Sequence, residues 1–487
     1  MKNLSKSGFI RGLQCMKSLY LHYYNPELRD ETSESQKHLF DTGHNVGFLA
    51  QQLFPGGIDA SNGERGNYGE AISRTLSLIQ DIQEVIYEAA FSYRGSLCYL
   101  DILVLEEGGW VAYEVKSSTE VKDYHIMDAA FQYYVITGSG LPIKKIFLVH
   151  VNNQYVRKGN LDLNEFFTIV PLTDEVLALQ PEIPVRLKAM QSMLEAGKEP
   201  EIQIGPYCAK PFACDFMSHC WCEVPEYSVF DISGLGVKAF DLYEKGIVEV
   251  KDVPDDFPLS VNQRMQVIAE QRGETFRNDE ELSAFMAKLV YPLYFLDFET
   301  IMPAVPLYDN CRPYQQITFQ YSLDKKSAPG TDGSTEHFEF LGTPPANPRP
   351  DLIRTLVDQL GTNGSIITWN VSFERSRLNE LANDFPEFRT KIEAITERLV
   401  DLMVPFRKKH WYKPEMKGSY SIKKVLPALE SELSYGNLEI QEGGAASLIY
   451  ESLYTDPDPE SILKKRADLL TYCGLDTMSM VKILEKL

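Results

Sequence analysis

The stretch LVYPLYFLDFET, residues 289–300, sets two acids two positions apart in an otherwise apolar run. Such a run reads as a buried strand. Side chains alternate across a strand, so Asp297 and Glu299 point to one face and can share a cation. Downstream, SIITWN (365–370) reads as a second strand and SFERSRLNELAN (372–383) as the helix after it, with Asn370-Val-Ser-Phe-Glu374 at the junction. GTPPANPRPD (342–351) reads as a loop because of its prolines. The stretch ADLLTYCGLDTMSMVKILEKL (467–487) has the pattern of an amphipathic helix, on which Tyr472 and Asp476 are one turn apart on one face. Taken singly, each motif also reads as surface acids and a core aromatic. In this order and in these elements, they read as a site for hard divalent cations, which take carboxylate oxygens.

The set DxE, N-x-x-F-(D/E) and Y-x-x-x-D, over residues 289–487, resembles the DnaQ-like exonucleases of the ribonuclease H-like fold, in their tyrosine-bearing subclass. Asp401 in RLVDLMVPF and the segment Ser421-Ile-Lys-Lys-Val-Leu match that family's intervening strand and helix. The resemblance implies a two-metal 3′–5′ exonuclease using Mg²⁺ or Mn²⁺. Asp297 would bridge the ions, Glu299 and Asp476 would hold the nucleophile-side ion, and Tyr472 would orient the attacking water. The third position departs from the commonest pattern, because Glu374 stands where Asp is usual.

Between residues 84 and 152 the periodicity predicts three strands (84–93, 97–107 and 110–118), a helix (124–137) and a fourth strand (143–152). Flanking helices are predicted over 36–53 and 183–197. Asp101 falls on the second strand, while Glu114 and Lys116 share one face of the third. Acids so placed can bind metal while an ammonium group positions water or stabilises a phosphorane. D-x12-E-x-K resembles the PD-(D/E)XK nuclease motif. His44, Glu88 and Gln132 stand where RecB-family nucleases carry a metal-binding histidine, a further acid and a helical glutamine, although Tyr133 and Tyr134 follow that glutamine more closely than is usual. On its own, His44 also reads as a structural histidine.

Of eight cysteines, Cys15 stands near the start and Cys208, Cys214 and Cys220 follow the second flanking helix. This one-plus-three distribution resembles the AddB-type RecB-family nucleases and their CRISPR-associated relatives. It implies a [4Fe–4S] cluster on four thiolates that ties the two ends of the domain together. Here the tail is C-x5-C-x5-C, so Cys222 is an alternative ligand, and zinc on four thiolates or unligated core cysteines are alternative readings. Cys98, Cys311 and Cys473 read as core or helix-face residues.

A chain of 487 residues with 44% hydrophobic and 24% charged content exceeds one core and predicts large α/β domains. The expected division is a PD-(D/E)XK restriction-endonuclease-like domain over 1–225, a helical linker over 226–288 and the exonuclease-like domain over 289–487. In the linker, a helix near residues 238–243 and a stop at Gly246 suit either half of a helix–hairpin–helix or a plain connector. No apolar run has the length of a signal peptide core or a membrane span, so a cytoplasmic protein is expected. A net charge of −21 argues weakly against nucleic acid as partner. Residues 406–424, FRKKHWYKPEMKGSYSIKK, argue for it: Lys408, Lys409, Trp411, Tyr412 and Lys413 have the composition of a surface that tracks a single strand or a 3′ end. A solvated loop and helix face has that composition too. A nucleic-acid-binding scaffold with decayed sites is the other functional reading.

Overall fold

The computed structural model describes all residues except 1–2, 62, 64–66, 331–334, 431–435, 437–438 and 441. The protein is mixed α/β, and its chain forms two compact units. The first comprises Met1–Glu223 with Pro303–Gln315, and the second Val224–Met302 with Gln316–Leu487. Residues 226–288, expected as a separate linker, therefore belong to the second unit.

In the first unit, β1 (Leu4–Ser5) leads into helices α1 (Lys6–Gln14), α2 (Met16–Tyr24) and α3 (Glu34–Gln51). After β2 (Ile58–Asp59) and α4 (Tyr68–Gln80) comes a meander of β3 (Val85–Tyr93), β4 (Ser96–Glu106) and β5 (Gly109–Lys116). Helix α5 (Asp123–Gly138) then crosses to β6 (Ile143–Val151), which pairs parallel with β5, and α6 (Leu163–Phe166) leads to β7 (Phe167–Pro171). The sheet order is β2-β3-β4-β5-β6-β7, with β1 alongside β4. The predicted strands and helix fall within a few residues of these elements. α5 buries one face, including Ala129, Phe131 and Val135, in the main core. Three further helices, α7 (Thr173–Leu179), α8 (Ile183–Ala196) and α9 (Met217–Cys220), close the unit.

The second unit opens with α10 (Lys238–Tyr243), which ends before Gly246 at φ +76°, followed by α11 (Val261–Arg272), β8 (Phe276–Arg277) and α12 (Asp279–Met286). Val229, Leu242, Val250 and Val267 share a small core there. The principal sheet has order β11-β10-β9-β12-β13. It comprises β9 (Leu293–Ile301), β10 (Ile317–Lys326), β11 (Glu336–Leu341), β12 (Ser365–Thr368) and β13 (Leu399–Asp401). β10 is antiparallel to both neighbours, whereas β12 runs parallel to β9 and β13 parallel to β12. The strand expected over 289–300 begins at Leu293, because Pro292 has no N–H to give to the ladder.

Helix α13 (Arg349–Leu360) takes over the end of the segment read as a loop. Pro350 lies in its first turn, where a missing N–H costs nothing. After α14 (Val371–Asp384), α15 (Arg389–Thr396) and α16 (Val404–Arg407), β14 (Trp411–Tyr412) pairs with β8. Helices α17 (Ile422–Leu429), α18 (Gly443–Ser452) and α19 (Pro459–Lys486) complete the unit. α19 starts well before the expected residue 467 because Asp458 caps it, accepting from the Glu460 and Ser461 amides, with Pro459 in the first turn.

Candidate functional site

Two carboxylate clusters are built on the sheets, one in each unit. In the first unit the β4–β5 ladder ends at Ile102 opposite Tyr113. Beyond it the strands diverge, and the Asp101 carboxylate replaces the lost ladder bond by accepting from the Val115 amide at 2.7 Å. On β3, Tyr87 pairs with Ile102 and Ala89 with Leu100, so Glu88 and Asp101, opposite each other between those pairs, both drop out of the ladder without a shift of register, with Glu88 at φ +49°. At this break in the ladder the buried Glu88 is near enough to Asp101 for its charge to act on that carboxyl.

Glu114 is fully buried and saturated. Its Oε1 accepts from the Lys6 and Lys116 ammonium groups, each at 2.7 Å, and its Oε2 accepts from Gln132 Nε2 at 2.7 Å. Lys116 also pairs with Asp128 at 2.6 Å. Burial alone would raise the Glu114 pKa, but Lys116 and Lys6 hold it below the usual carboxylate range. Asp101, buried beside Glu114, is pushed up to about 8. A cavity of about 1020 Å³ brings Lys6, His44, Glu88, Asp101, Glu114 and Lys116 together. Exposed Phe40 and Phe48 flank His44 on α3, at four residues to either side, and line the same cavity.

The sequence reading of this site missed Lys6, Asp128, Phe40 and Phe48. Asp128 is four residues before Gln132, a spacing that puts both on one helix face and could have revealed it. Lys6 lies 108 residues from Glu114 and gave no local signal.

Cys15, in the break between α1 and α2, lines a second cavity together with Cys208, Cys214 and Cys220. Cys222 is exposed and does not line it. The segment that carries the three later cysteines is fastened to α1 by polar contacts. Arg11 pairs with Asp215, and Gln14 Nε2 donates to the carbonyls of Tyr207 and Phe212 at 2.7 Å each. Among the described residues, the ligand atoms of His, Cys, Asp or Glu that gather in threes within 4.8 Å of one another are those of Asp297, Glu299 and Cys473. No three of the four sulfurs around the cavity are therefore that close.

In the second unit, β9 carries Asp297 and Glu299, the first turn of α14 carries Glu374, and α19 carries Tyr472, Cys473 and Asp476. Glu299, Glu374, Tyr472 and Asp476 are all buried. The Asp297 carboxyl is raised well above its ordinary range, first by burial and then by the charges of Asp476, Glu299 and Glu374; Glu299 is raised by burial and by Asp476. Four acids from three elements thus share one electrostatic site. Lys423 of α17 reaches the Tyr472 hydroxyl at 3.2 Å and offsets part of the charge at Glu299. Tyr472 itself is raised by burial and by Asp476, which keeps its hydroxyl protonated.

Glu374 is pushed up to about 8 by burial, with Asp401 adding to the shift. The Thr368 hydroxyl is near enough to favour ionised Glu374, yet neither it nor Glu374 Oε2 has a hydrogen bond of normal geometry among the described residues. Cys473, expected as a core or helix-face residue, is buried but lies within the site, its thiol 3.6 Å from Asp297 Oδ2. Its three-residue spacing from Asp476 places both on one helix face and could have shown this. Cys98 and Cys311 are buried, in keeping with core positions.

The basic stretch needs correction. Lys409 is buried, with its ammonium 3.8 Å from the centre of the Tyr412 ring, and Tyr412 is fully buried, accepting from the Gly418 amide. Lys413 donates to the Ala428 carbonyl. Arg277 lies over the Trp411 ring at 4.3 Å. Lys409 and Tyr412 thus belong to the core of the unit and present no stacking surface, while Trp411 and Lys413 are half-buried and Lys408 is exposed.

The raised acids give a signed pH dependence. Asp101 and Glu374, both near pKa 8, hold protons that an unfolded chain releases around pH 4. The stability they contribute is complete below that lower value and is lost as pH rises through about 8. We expect the Tm of chelator-treated protein to fall as pH rises from about 4 to about 8 and to level off above that, and Mn²⁺ to restore it at the upper end, where the ionised acids can bind it. Calorimetry giving a flat Tm profile across this range would contradict the assignment.

Residues 294–421 match the family described as Domain of unknown function (DUF2779). The match includes Asp297, Glu299, Glu374 and Asp401 and stops before Tyr472 and Asp476. The chain is similar to the "Uncharacterized protein MG366 homolog" of Mycoplasma pneumoniae, 30% identical over 214 residues that cover 40% of this chain and 32% of the relative. It is also similar to "Uncharacterized protein UU173" of Ureaplasma parvum, 29% identical over 223 residues covering 40% and 31%. The chain thus spans about a third of the length of the curated relatives it matches. The crystal structure of SSO0001 aligns over 42% of this chain and 80% of that one, at 9% identity and a TM-score of 0.22, which bears on neither fold nor function. Among the described residues no helix is long and apolar enough to cross a membrane.

Proposed function

We propose that the protein is a metal-dependent nuclease with a 3′–5′ exonuclease site in the second unit and a RecB-like site in the first. The observation that carries this reading is the convergence of Asp297, Glu299, Glu374 and Asp476 on one buried site beside Tyr472, in the chain order of the DnaQ-like motifs. The strand order β11-β10-β9-β12-β13, with β10 antiparallel, supports a ribonuclease H-like fold. The meander β3-β4-β5 followed by α5 and a parallel β6 supports a PD-(D/E)XK core.

Bound Mg²⁺ or Mn²⁺ would supply an activated water and charge stabilisation at the departing oxygen. Asp297, Glu299, Glu374 and Asp476 are the acids that would hold it. The protonated Tyr472 hydroxyl, fixed by Lys423, can donate to an incoming water or to a phosphate oxygen. In the first unit Asp101, Glu114 and His44 would hold metal, Glu88 would add charge, and Lys116 and Lys6, which line the same cavity, would offset the charge of a bound phosphate. Phe40 and Phe48 on the cavity rim suit stacking on bases. The four cysteines suit a [4Fe–4S] cluster better than zinc, because a tetrahedral Zn–S distance of about 2.3 Å draws sulfurs to roughly 3.8 Å apart, closer than any three of them stand.

The test is incubation with 3′- and 5′-labelled single strands of DNA and RNA, with and without Mn²⁺. Lys116→Ala should remove the cutting of the first site and leave 3′ trimming intact. If neither polymer is degraded, the scaffold reading replaces this one. If Lys116→Ala also stops 3′ trimming, the sites are not separate.

A further inference from the structure

The second-unit site contains a soft ligand that a Mg²⁺ enzyme does not need. Cys473 is fully buried, and its sulfur stands 3.6 Å from Asp297 Oδ2. Ligand atoms of Asp297, Glu299 and Cys473 all lie within 4.8 Å of one another, close enough to meet on one ion. A second observation points to a missing cation. Glu374 Oε2, on a residue 3% exposed whose charge acts on both acids, has no hydrogen bond of normal geometry among the described residues. Two carboxylates and a thiolate leave a fourth position open on a tetrahedral ion. Magnesium gains nothing from sulfur. Zinc, a borderline-soft ion that also stands above Mn²⁺ in general affinity order, gains a strong bond.

We propose that Asp297, Glu299 and Cys473 form a carboxylate–thiolate site that selects Zn²⁺ over Mg²⁺ and Mn²⁺. The metal–sulfur bond forms as the thiol proton leaves to solvent, and no oxidant is needed. Bound zinc would occupy the place of the hard cations. That regulatory consequence rests on the exonuclease reading; the metal site itself does not.

The experiment reads metal rather than activity. Full-length protein is titrated with Co²⁺, a spectroscopic substitute for zinc, and difference spectra are recorded against the untitrated sample. Thiolate-to-cobalt charge-transfer absorption should appear, disappear on adding equimolar Zn²⁺, and persist in a hundredfold excess of Mg²⁺. In Cys473→Ser that absorption should be lost, and zinc affinity by equilibrium dialysis should fall on the order of 100-fold. Should Cys473→Ser fail to fold by circular dichroism, Glu299→Gln keeps the buried thiol and should lower Co²⁺ affinity at least about tenfold. Cobalt binding without the sulfur band, an unchanged band in Cys473→Ser, or unchanged affinity in Glu299→Gln would overturn the proposal. Failure of the nuclease reading would show separately, as intact labelled strands.

Discussion

Asp297→Ala abolishes 3′-end degradation under Mg²⁺ or Mn²⁺, whereas Tyr472→Phe retains a measurable fraction of it; this is the contrast expected in a timed assay on a 3′-labelled strand. Asp297 lies centrally in the cluster. Asp476, Glu299 and Glu374 all act on it, so its loss removes charge at the point where the four acids converge. Two cations held about 3.5–4 Å apart need that concentration of carboxylate. Tyr472 contributes one oriented hydroxyl, already fixed by Lys423 at 3.2 Å. Losing such a proton donor typically slows a reaction by about 10²–10⁴ without disturbing metal binding. Equal rates for Asp297→Ala and the unaltered protein would end the two-metal reading, and equal losses in both variants would deny Tyr472 a subordinate role.

The second large effect is expected at Cys15. Cys15→Ser should turn a brown protein colourless or nearly so, with loss of most bound iron. It should also destabilise the first unit by more than about 4 kcal/mol, the range in which loss of a metal staple belongs. Cys15 is the only one of the four cavity cysteines that lies among the N-terminal helices, so a cluster held by all four would join those helices to the later segment through it alone. The Arg11–Asp215 pair and the Gln14 hydrogen bonds still fasten the same segments. Limited proteolysis should therefore expose the 206–222 region before the sheet. A colourless unaltered protein containing stoichiometric zinc would overturn the cluster assignment.

The elements that could be read from sequence were those with long apolar runs, β9 among them, and those set off by clear turns such as Gly108-Gly109. The β3–β4–β5 meander and α5 lie within a few residues of their predicted bounds, although β5 is buried without a break from Trp110 to Glu114 and α5 from Asp128 to Gln132. β10 carried a strict alternation that went unread: Ile317, Phe319, Tyr321 and Leu323 are apolar, with Thr318, Gln320, Ser322 and Asp324 between them, and its polar face is buried rather than solvated. Gln320 and Ser322 bond into α19, while Tyr321 reaches Thr355 and Gln359 on the opposite side.

At the sites, acids were legible where two fell on one strand or helix face, as for Asp297 with Glu299 and Tyr472 with Asp476. Lys6 and Lys423 were not, because tertiary folding alone brings them in. The aromatic and basic residues at 406–424 misled for the complementary reason. Composition does not distinguish an aromatic that faces solvent from one like Tyr412, which the fold needs as core.

The left-handed backbone at Glu88 sets conformational stability against the proposed chemistry at a single position. A non-glycine residue at φ +49° within a strand costs on the order of 1–3 kcal/mol, and glycine would relieve most of that cost. Glycine would also delete the carboxylate held beside Asp101. Selection for heat resistance alone would therefore drive residue 88 away from glutamate, while selection for the chemistry of the cavity would hold it there.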